Sequence, residues 1–543
     1  MNLERVPIPQ ERDTLWASSA CYPGRMIHDV LIVGYGPVGA TMAALLARHG
    51  LRVAVVEQST DIYDKPRAIT LDHEVMRVFQ ACGIADEIAP FIATYPGTHY
   101  LGVDGGVIRI YDPQPPPHPL GWPPSLSFVQ PEVEAVLRAC VARSGRVDVF
   151  LGTQAVALAP HADRVDVTLR TADGAPDRVV SAGYVLGCDG ANSFVRRALG
   201  IEHEDLAFDE WWMVVDARLV QPVDLPMKSI QYCWPARPAT FIVGPGNLRR
   251  WEIKLLPGEI PEEFGTPDSV RAQLARFVDP AAIEIWRSAV YRFHALLAER
   301  WRAGRVFLLG DACHQTPPFM GQGLCAGIRD AANLAWKLAL ALRAGARDAL
   351  LDSYEQERKP HVTTLVAHAK AAGEVIGELD VDAARKRDAA LRDKLLRGEA
   401  ETIRQRFIPD LVDGVVDRDT GAAAGTLFVQ PHVRAGRAEM LLDDALGPNF
   451  LLATPSAEAQ AWVAPHSLEL LRRMGAERIV IGPDAGEGDA IHLPERDGLF
   501  AAWMKRHDAA AVLVRPDRYA YATARDHGGL NAIVASLGRH IFG

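Results

Sequence analysis

The sequence predicts an α/β protein: a Rossmann-like nucleotide-binding domain interrupted by an inserted β-sheet domain, with a small α/β domain at the C-terminus. Three observations predict it. A strand, a glycine turn and a helix follow one another over 28–48. Two later apolar strands, ending near 189 and 311, run into turns that carry Gly and Asp. From about residue 425 the chain changes to short strands alternating with helices.

The first strand is His28-Asp-Val-Leu-Ile-Val33, and the turn after it is Gly34-Tyr-Gly36-Pro-Val-Gly39. Gly34 permits a tight turn, Gly36 lets a pyrophosphate approach the backbone, and Gly39 lets helix and strand pack closely, so that the helix N-terminus faces the phosphates. Such a turn alone is weak evidence. Here a second strand, RVAVVE over 52–57, ends on Glu57 at about the 20-residue offset expected of an acidic residue that binds ribose hydroxyls.

A nicotinamide enzyme would place a catalytic domain after this unit, whereas this chain returns to the cofactor twice. The first return is Tyr184-Val-Leu-Gly-Cys-Asp189-Gly190-Ala-Asn-Ser193, followed by Arg196 and Arg197. The second runs from Arg305 through Gly310-Asp311-Ala-Cys-His314 to Pro318-Phe-Met-Gly321-Gln322-Gly323. Between them, 206–296 alternates apolar and polar residues in runs such as Trp211-Trp-Met-Val-Val-Asp216, Ser229-Ile-Gln-Tyr-Cys-Trp234 and Arg250-Trp-Glu-Ile-Lys254, the pattern of a sheet roofing the cofactor. A packed helix after Asp330 and a charged helical stretch over 351–406 precede the last domain, whose strands lie at 449–453, 478–482 and 510–515.

Bulk properties exclude several classes. With 543 residues, 48% apolar and 23% charged, the chain can bury a large core, and disorder or fibre is excluded. A net charge of −10 and a pI near 6.0 give no broad attraction to nucleic acid or anionic lipid. The seven cysteines (Cys21, Cys82, Cys140, Cys188, Cys233, Cys313, Cys325) are spread and contain no CxxC, so neither a disulfide framework nor a metal site is indicated, and a cytoplasmic location fits. Residues 1–27 read as a polar tail without the layout of a secretory signal, and no apolar run is long enough to span a membrane.

The three motifs together resemble the class A flavoprotein aromatic hydroxylases, the para-hydroxybenzoate hydroxylase family, and within it the 3-(3-hydroxyphenyl)propionate hydroxylase-like monooxygenases. The likeness covers roughly 28–375. It implies FAD as cofactor, NADPH or NADH as co-substrate, O2, and a phenolic substrate hydroxylated through a flavin C4a-hydroperoxide. It assigns Gly34, Gly36, Gly39 and Glu57 to the ADP half of FAD, Asp189 to FAD and the nicotinamide donor, and Asp311 to ribityl or ribose hydroxyls. Pro318, Gly321, Gln322 and Gly323 follow as cofactor contacts. Pro66-Arg67-Ala68 resembles the family segment whose arginine lies beside the flavin, and Phe128-Val-Gln130-Pro-Glu the one whose glutamine contacts the cofactor. Where many relatives have Asn this chain has Cys325, read as a packing residue.

The implied domains are an N-terminal tail (1–27), a discontinuous FAD-binding domain (28–97, 126–205 and 297–400), a substrate domain (98–125 and 206–296) and a thioredoxin-like C-terminal domain (425–543). The last is marked by Val-Leu-Val-Arg-Pro-Asp-Arg-Tyr, similar to phenol hydroxylases. No cysteine follows Cys325, so a dithiol role is excluded and packing or homodimerisation remains. Alternatives on the same scaffold are polyketide or ketone oxidation, including epoxidation and Baeyer–Villiger insertion, and a non-catalytic flavin sensor.

A phenol attacks oxygen well only once its proton is withdrawn, so a hydrogen-bonding base near the ring hydroxyl is expected. Tyr232 and His294 are the candidates, set against the plainer readings of a strand tyrosine packed in its sheet and a surface or core histidine. Arg67 is the third catalytic candidate, since its permanent charge would stabilise anionic flavin or substrate. His314 fits a loop brace.

Overall fold

The computed structural model describes residues 28–483 and 489–543. The expected tail, with Cys21, lies outside the described residues.

The first strand, His28–Val33, and the second, Val53–Val56, are almost wholly buried, as continuous apolar runs in a parallel sheet with both faces covered must be. His28–Val33 pairs in parallel with Val53–Val56 on one side and with Arg178–Gly187 on the other, and Val306–Leu308 pairs in parallel with Arg178–Gly187. Both returns thus bring Asp189 and Asp311 to the strand ends beside Gly34, where ligands bind in open α/β sheets. The helices Pro37–Arg48 and Gly323–Arg343 pack on one another beneath this edge.

The second large sheet is mainly antiparallel. In order it contains Ile283–Ala298, His203–Leu219, Leu248–Lys254, Ala239–Val243, Ser229–Tyr232 and Thr98–Leu101. Alternation splits it cleanly. Met213, Val215, Ala217, Phe241, Trp251 and Ile253 form an apolar cluster with Phe264, Val270 and Leu274 of two covering helices, Pro261–Phe264 and Pro267–Leu274. Trp212, Val214, Asp216, Arg250, Glu252 and Lys254 point the other way, because successive strand residues face opposite sides. This inner face meets the nucleotide domain.

The C-terminal domain is a five-stranded sheet ordered Ile491–His492, Glu477–Val480, Leu451–Thr454, Ala511–Val514, Ala520–Ala524; the first three strands are parallel and the last two antiparallel to their neighbours. The charged residues of its Val-Leu-Val-Arg-Pro-Asp-Arg-Tyr segment fasten it to the nucleotide domain. Arg515 donates to Glu357 Oε2 at 2.7 Å and to Val415 O at 2.9 Å, and the Tyr519 hydroxyl donates to Glu74 Oε1 at 2.8 Å. The other Glu74 oxygen accepts from Arg329, which also donates to Asp72 at 2.5 Å. Buried charges persist only when paired, and here Arg515 and Lys337 hold the Glu357 carboxyl down at about 2 against the upward push of burial. Among the described residues no helix is long and apolar enough to cross a membrane.

Candidate functional site

The glycine turn lies against the first return. Gly34 has φ of +102°, and a Cβ there would sit 2.3 Å from Cys188 O; at Gly39 it would sit 2.1 Å from Gly34 O. Gly36 is different. It caps the helix Pro37–Arg48, and no atom lies within 4 Å of the Cβ position, which leaves an open cradle over the unpaired amides of a helix N-terminus. Glu57 is pinned beside it, Oε2 accepting from Tyr35 N at 2.8 Å and Oε1 from Ser59 N at 2.9 Å. Open backbone plus an oriented carboxylate is the donor and acceptor set that a pyrophosphate and a ribose require, so these residues fit the ADP half of FAD.

Asp189 has its oxygens engaged: Oδ1 accepts from Ser193 Oγ at 2.5 Å and Oδ2 from Val195 N at 3.0 Å, capping the short helix Phe194–Ala198. Burial raises its pKa while these hydrogen bonds pull it back. Asp311 is set otherwise. Solvent reaches its side chain, yet burial raises its pKa, with His314 and Arg67 pulling it down. Its carboxyl accepts no hydrogen bond among the described residues and is free to receive one from a ligand. His314 is wholly buried, its Nε2 2.7 Å from Asp330 Oδ2, the oxygen that also accepts from Gly310 N at 3.0 Å. It braces the loop.

Beyond Asp311 the chain turns through Pro318–Met320 to Gly321, where a Cβ would meet Thr70 Oγ1 at 2.1 Å, and to Gly323, where nothing lies within 4 Å. The Gln322 side chain turns inward, donating to Asp72 Oδ2 at 3.3 Å and accepting from Arg329 at 2.9 Å, so only its backbone is available to a ligand. Cys325 is buried with its Sγ 3.6 Å from Gly321 O. Gln130 Oε1 accepts from Arg67 N at 3.0 Å and Ala68 N at 2.7 Å, fixing the loop from which the exposed Arg67 side chain projects over the Tyr63 ring.

Replacing Asp311 by Ala is expected to weaken FAD binding by about 1.5–3 kcal/mol, the worth of a hydrogen bond to a charged group. Fluorescence titration of the apoprotein with FAD measures it; unchanged affinity in a folded variant would show that the carboxylate does not touch the cofactor.

From the other side, the inner face of the antiparallel sheet grips the same loop through residues that sequence reading missed. Arg250 donates to Asp216 at 2.7 and 3.0 Å and to Arg67 O at 2.9 Å, and Arg287 donates to Pro66 O at 2.7 Å. Asp216, Arg250 and Arg287 are all buried. The signal was present in Arg-Trp-Glu-Ile-Lys, whose alternate charges read naturally as a wet face; the structure buries them instead. Trp212 packs 5.1 Å from Phe319 in the turn after Asp311, with Phe208 and Phe293 completing an aromatic wall.

Strand parity carries Tyr232 and His294 away from this face. The Tyr232 ring lies 4.6 Å from Trp234 and 5.1 Å from Phe277, in the cluster under the covering helices. His294 stands opposite Asp209, its Nδ1 3.8 Å from that carboxylate, on the side opposite Phe293. The structure thus brings Arg67, Gln130 and Asp311 together and leaves both expected bases elsewhere.

The profile of the FAD binding domain family matches residues 28–369, and that of the HcaD C-terminal domain matches 425–540. The chain is 33% identical, over 516 residues and 91% of each chain, to the 3-(3-hydroxy-phenyl)propionate/3-hydroxycinnamic acid hydroxylase of Escherichia coli (strain K12), and equally to that of Shigella sonnei (strain Ss046). Its fold is that of the flavin-dependent monooxygenase PieE, solved with FAD and substrate (TM-score 0.79, 22% identity, 94% of this chain and 99% of the other). It is also that of aklavinone-11 hydroxylase, solved with FAD and aklavinone (TM-score 0.74, 24% identity, 95% of this chain and 100% of the other).

Proposed function

The chain belongs to the FAD binding domain family of flavin-dependent hydroxylases, and on that premise we propose that it uses NAD(P)H and O2 to hydroxylate the ring of a phenolic substrate. The observation that carries the reading is the placing of the exposed Asp311 and Arg67 side by side at the strand ends of the nucleotide domain, with the Arg67 loop held by Arg250 and Arg287 of the antiparallel sheet. FAD, reduced by NAD(P)H, supplies the electrons that activate O2. Gly34, Gly36, Gly39 and Glu57 hold its ADP half; Asp311, Gln130, Pro318 and the backbone from Gly321 to Gly323 hold the rest. Asp189 acts by bracing the first return, and the nicotinamide donor is proposed to bind beside it.

The remaining residues work on the substrate side. Backbone amides at the start of the helix Gly323–Arg343 favour negative charge, and Arg67 adds a permanent positive one. Trp212, Phe208, Phe293 and Phe319 form an apolar wall that keeps water from the reacting centre. The strand order of the C-terminal domain supports a thioredoxin-like fold, used for packing and for assembly of a homodimer rather than for dithiol chemistry. The six described cysteines are free, which suits the cytoplasm. A polyketide phenol is the second reading, with which the fold shared with aklavinone-11 hydroxylase is consistent.

A panel of hydroxylated phenylpropionates, benzoates, simple phenols and polycyclic phenols tests this. At least one phenol is expected to accelerate NAD(P)H oxidation and to gain one labelled oxygen atom from O2, with little peroxide. If every phenol leaves the oxidation unaccelerated while a non-aromatic ketone gains oxygen as an ester or lactone, ring hydroxylation is wrong and Baeyer–Villiger chemistry replaces it.

A further inference from the structure

The inner face of the antiparallel sheet carries a cross-strand row formed by Ala289, Val214, Glu252, Thr240 and Gln231 on five neighbouring strands. On one side of it stands the row Arg287, Asp216, Arg250, which grips the Pro66–Arg67 loop. On the other stands the row Tyr291, Trp212, Lys254, where Trp212 rests on Phe319 just beyond Asp311. The Glu252 row therefore lies between the row that grips the Pro66–Arg67 loop and the row that meets the turn after Asp311.

Glu252 is only 4% exposed, and its carboxyl accepts no hydrogen bond among the described residues. Its nearest cation, Arg250, is 3.8 Å away and already engaged with Asp216 and Arg67 O. Thr240 and Gln231 beside it satisfy one another, Thr240 Oγ1 donating to Gln231 Oε1 at 2.5 Å. A carboxyl this little exposed that makes no hydrogen bond to protein is left with acceptor sites for a ligand to use.

We propose that Glu252 is the base that takes the proton of the substrate's phenolic hydroxyl: the phenol O–H bond breaks as an O–H bond forms on the carboxylate, and the ring is left as the electron-rich phenolate. This rests on the phenolic reading above. Burial pushes the Glu252 pKa up to about 7, Arg250 pulling it down and Asp216 pushing it further up. The other ionisable groups on this face are Lys254 on its own strand, which is bound by Glu210, Arg287 and Tyr291 on the far strand, and Tyr100 and Arg109 where the Glu252 row continues past Gln231. A group of this pKa is protonated below about 7 and cannot accept a proton there, so hydroxylation must fall as pH drops through that value.

The test compares the FAD-loaded wild type with Glu252→Gln and Glu252→Asp, using 3-(3-hydroxyphenyl)propionate and a simple phenol between pH 5.5 and 9. Hydroxylated product, KM and kcat are followed, with FAD content and melting temperature as folding controls. The wild-type rate is expected to rise through pH 7. Glu252→Gln, the same shape without a basic oxygen, should lose about 100-fold or more in product-forming kcat, with KM little changed and the acid limb gone. Glu252→Asp should keep the limb at a reduced rate, and carries the test if the amide variant fails to fold. Glu252→Gln with wild-type kcat and an unchanged limb would overturn the proposal, as would a Glu252→Asp variant without any limb. A wild type that oxygenates no phenol at all overturns the phenolic reading itself, a distinct result.

Discussion

Gly34→Ala is expected to yield a protein that retains no FAD. The residue stands at φ +102°, where an L side chain is strained by about 1–3 kcal/mol before any contact is considered. Its methyl group would then lie 2.3 Å from Cys188 O and 2.7 Å from Cys188 C, both backbone atoms of the first return, which cannot rotate aside. The turn and the return must separate, and with them Tyr35, whose amide holds Glu57. Gly36→Ala is the informative contrast: its Cβ meets nothing within 4 Å, so the variant folds but places a methyl group where pyrophosphate must approach. The ratio of flavin to protein after purification, and FAD affinity on reconstitution, measure both. A yellow Gly34→Ala protein with full flavin content would show that the glycine turn is not where FAD binds.

Asp216→Ala is expected to cost about 3–5 kcal/mol of stability, the usual consequence of removing one member of a buried ion pair. It leaves Arg250 and Arg287 buried with the Pro66 and Arg67 carbonyls, the Tyr291 ring and the Glu252 carboxyl 3.8 Å from Arg250, and no close carboxylate. The same change loosens the loop that carries Arg67, so FAD retention should fall along with the urea midpoint. Tryptophan fluorescence reports the transition, since Trp212 and Trp251 belong to the strands involved. Asp216→Asn should lose less, because an amide oxygen still accepts from a guanidinium. If Asp216→Ala unfolds at the wild-type midpoint, the cluster does not anchor the loop.

Much of the site was legible because its constraints are local. Gly34 and Gly39 are required by close backbone contacts within one turn, and Glu57 by its distance along the chain from that turn; residue type and spacing suffice to find them. The two returns were legible for the same reason, since an apolar strand that runs into a turn carrying Gly and Asp marks its own boundary; Gly190 and Gly310 in those turns have positive φ. Gln322 shows the limit. Its position in the motif is plain from sequence, but that its side chain turns inward to Arg329 and Asp72 depends in part on Asp72, 250 positions away.

The sequence by itself determined the strand–turn–helix unit, the two returns and the alternating strands between them, because each follows from backbone sterics or hydrophobic period read over a few residues. Only the tertiary structure decided which side of the alternation is buried against the cofactor domain. Period two says that Tyr232 and Gln231, or His294 and Phe293, face opposite ways; it does not say which way the helices Pro261–Phe264 and Pro267–Leu274 will cover. Once those helices take the Tyr232 side, the charged residues Asp216, Arg250 and Glu252 are forced inward. There burial, absent from any local pattern, pairs two of them and leaves the third without a donor.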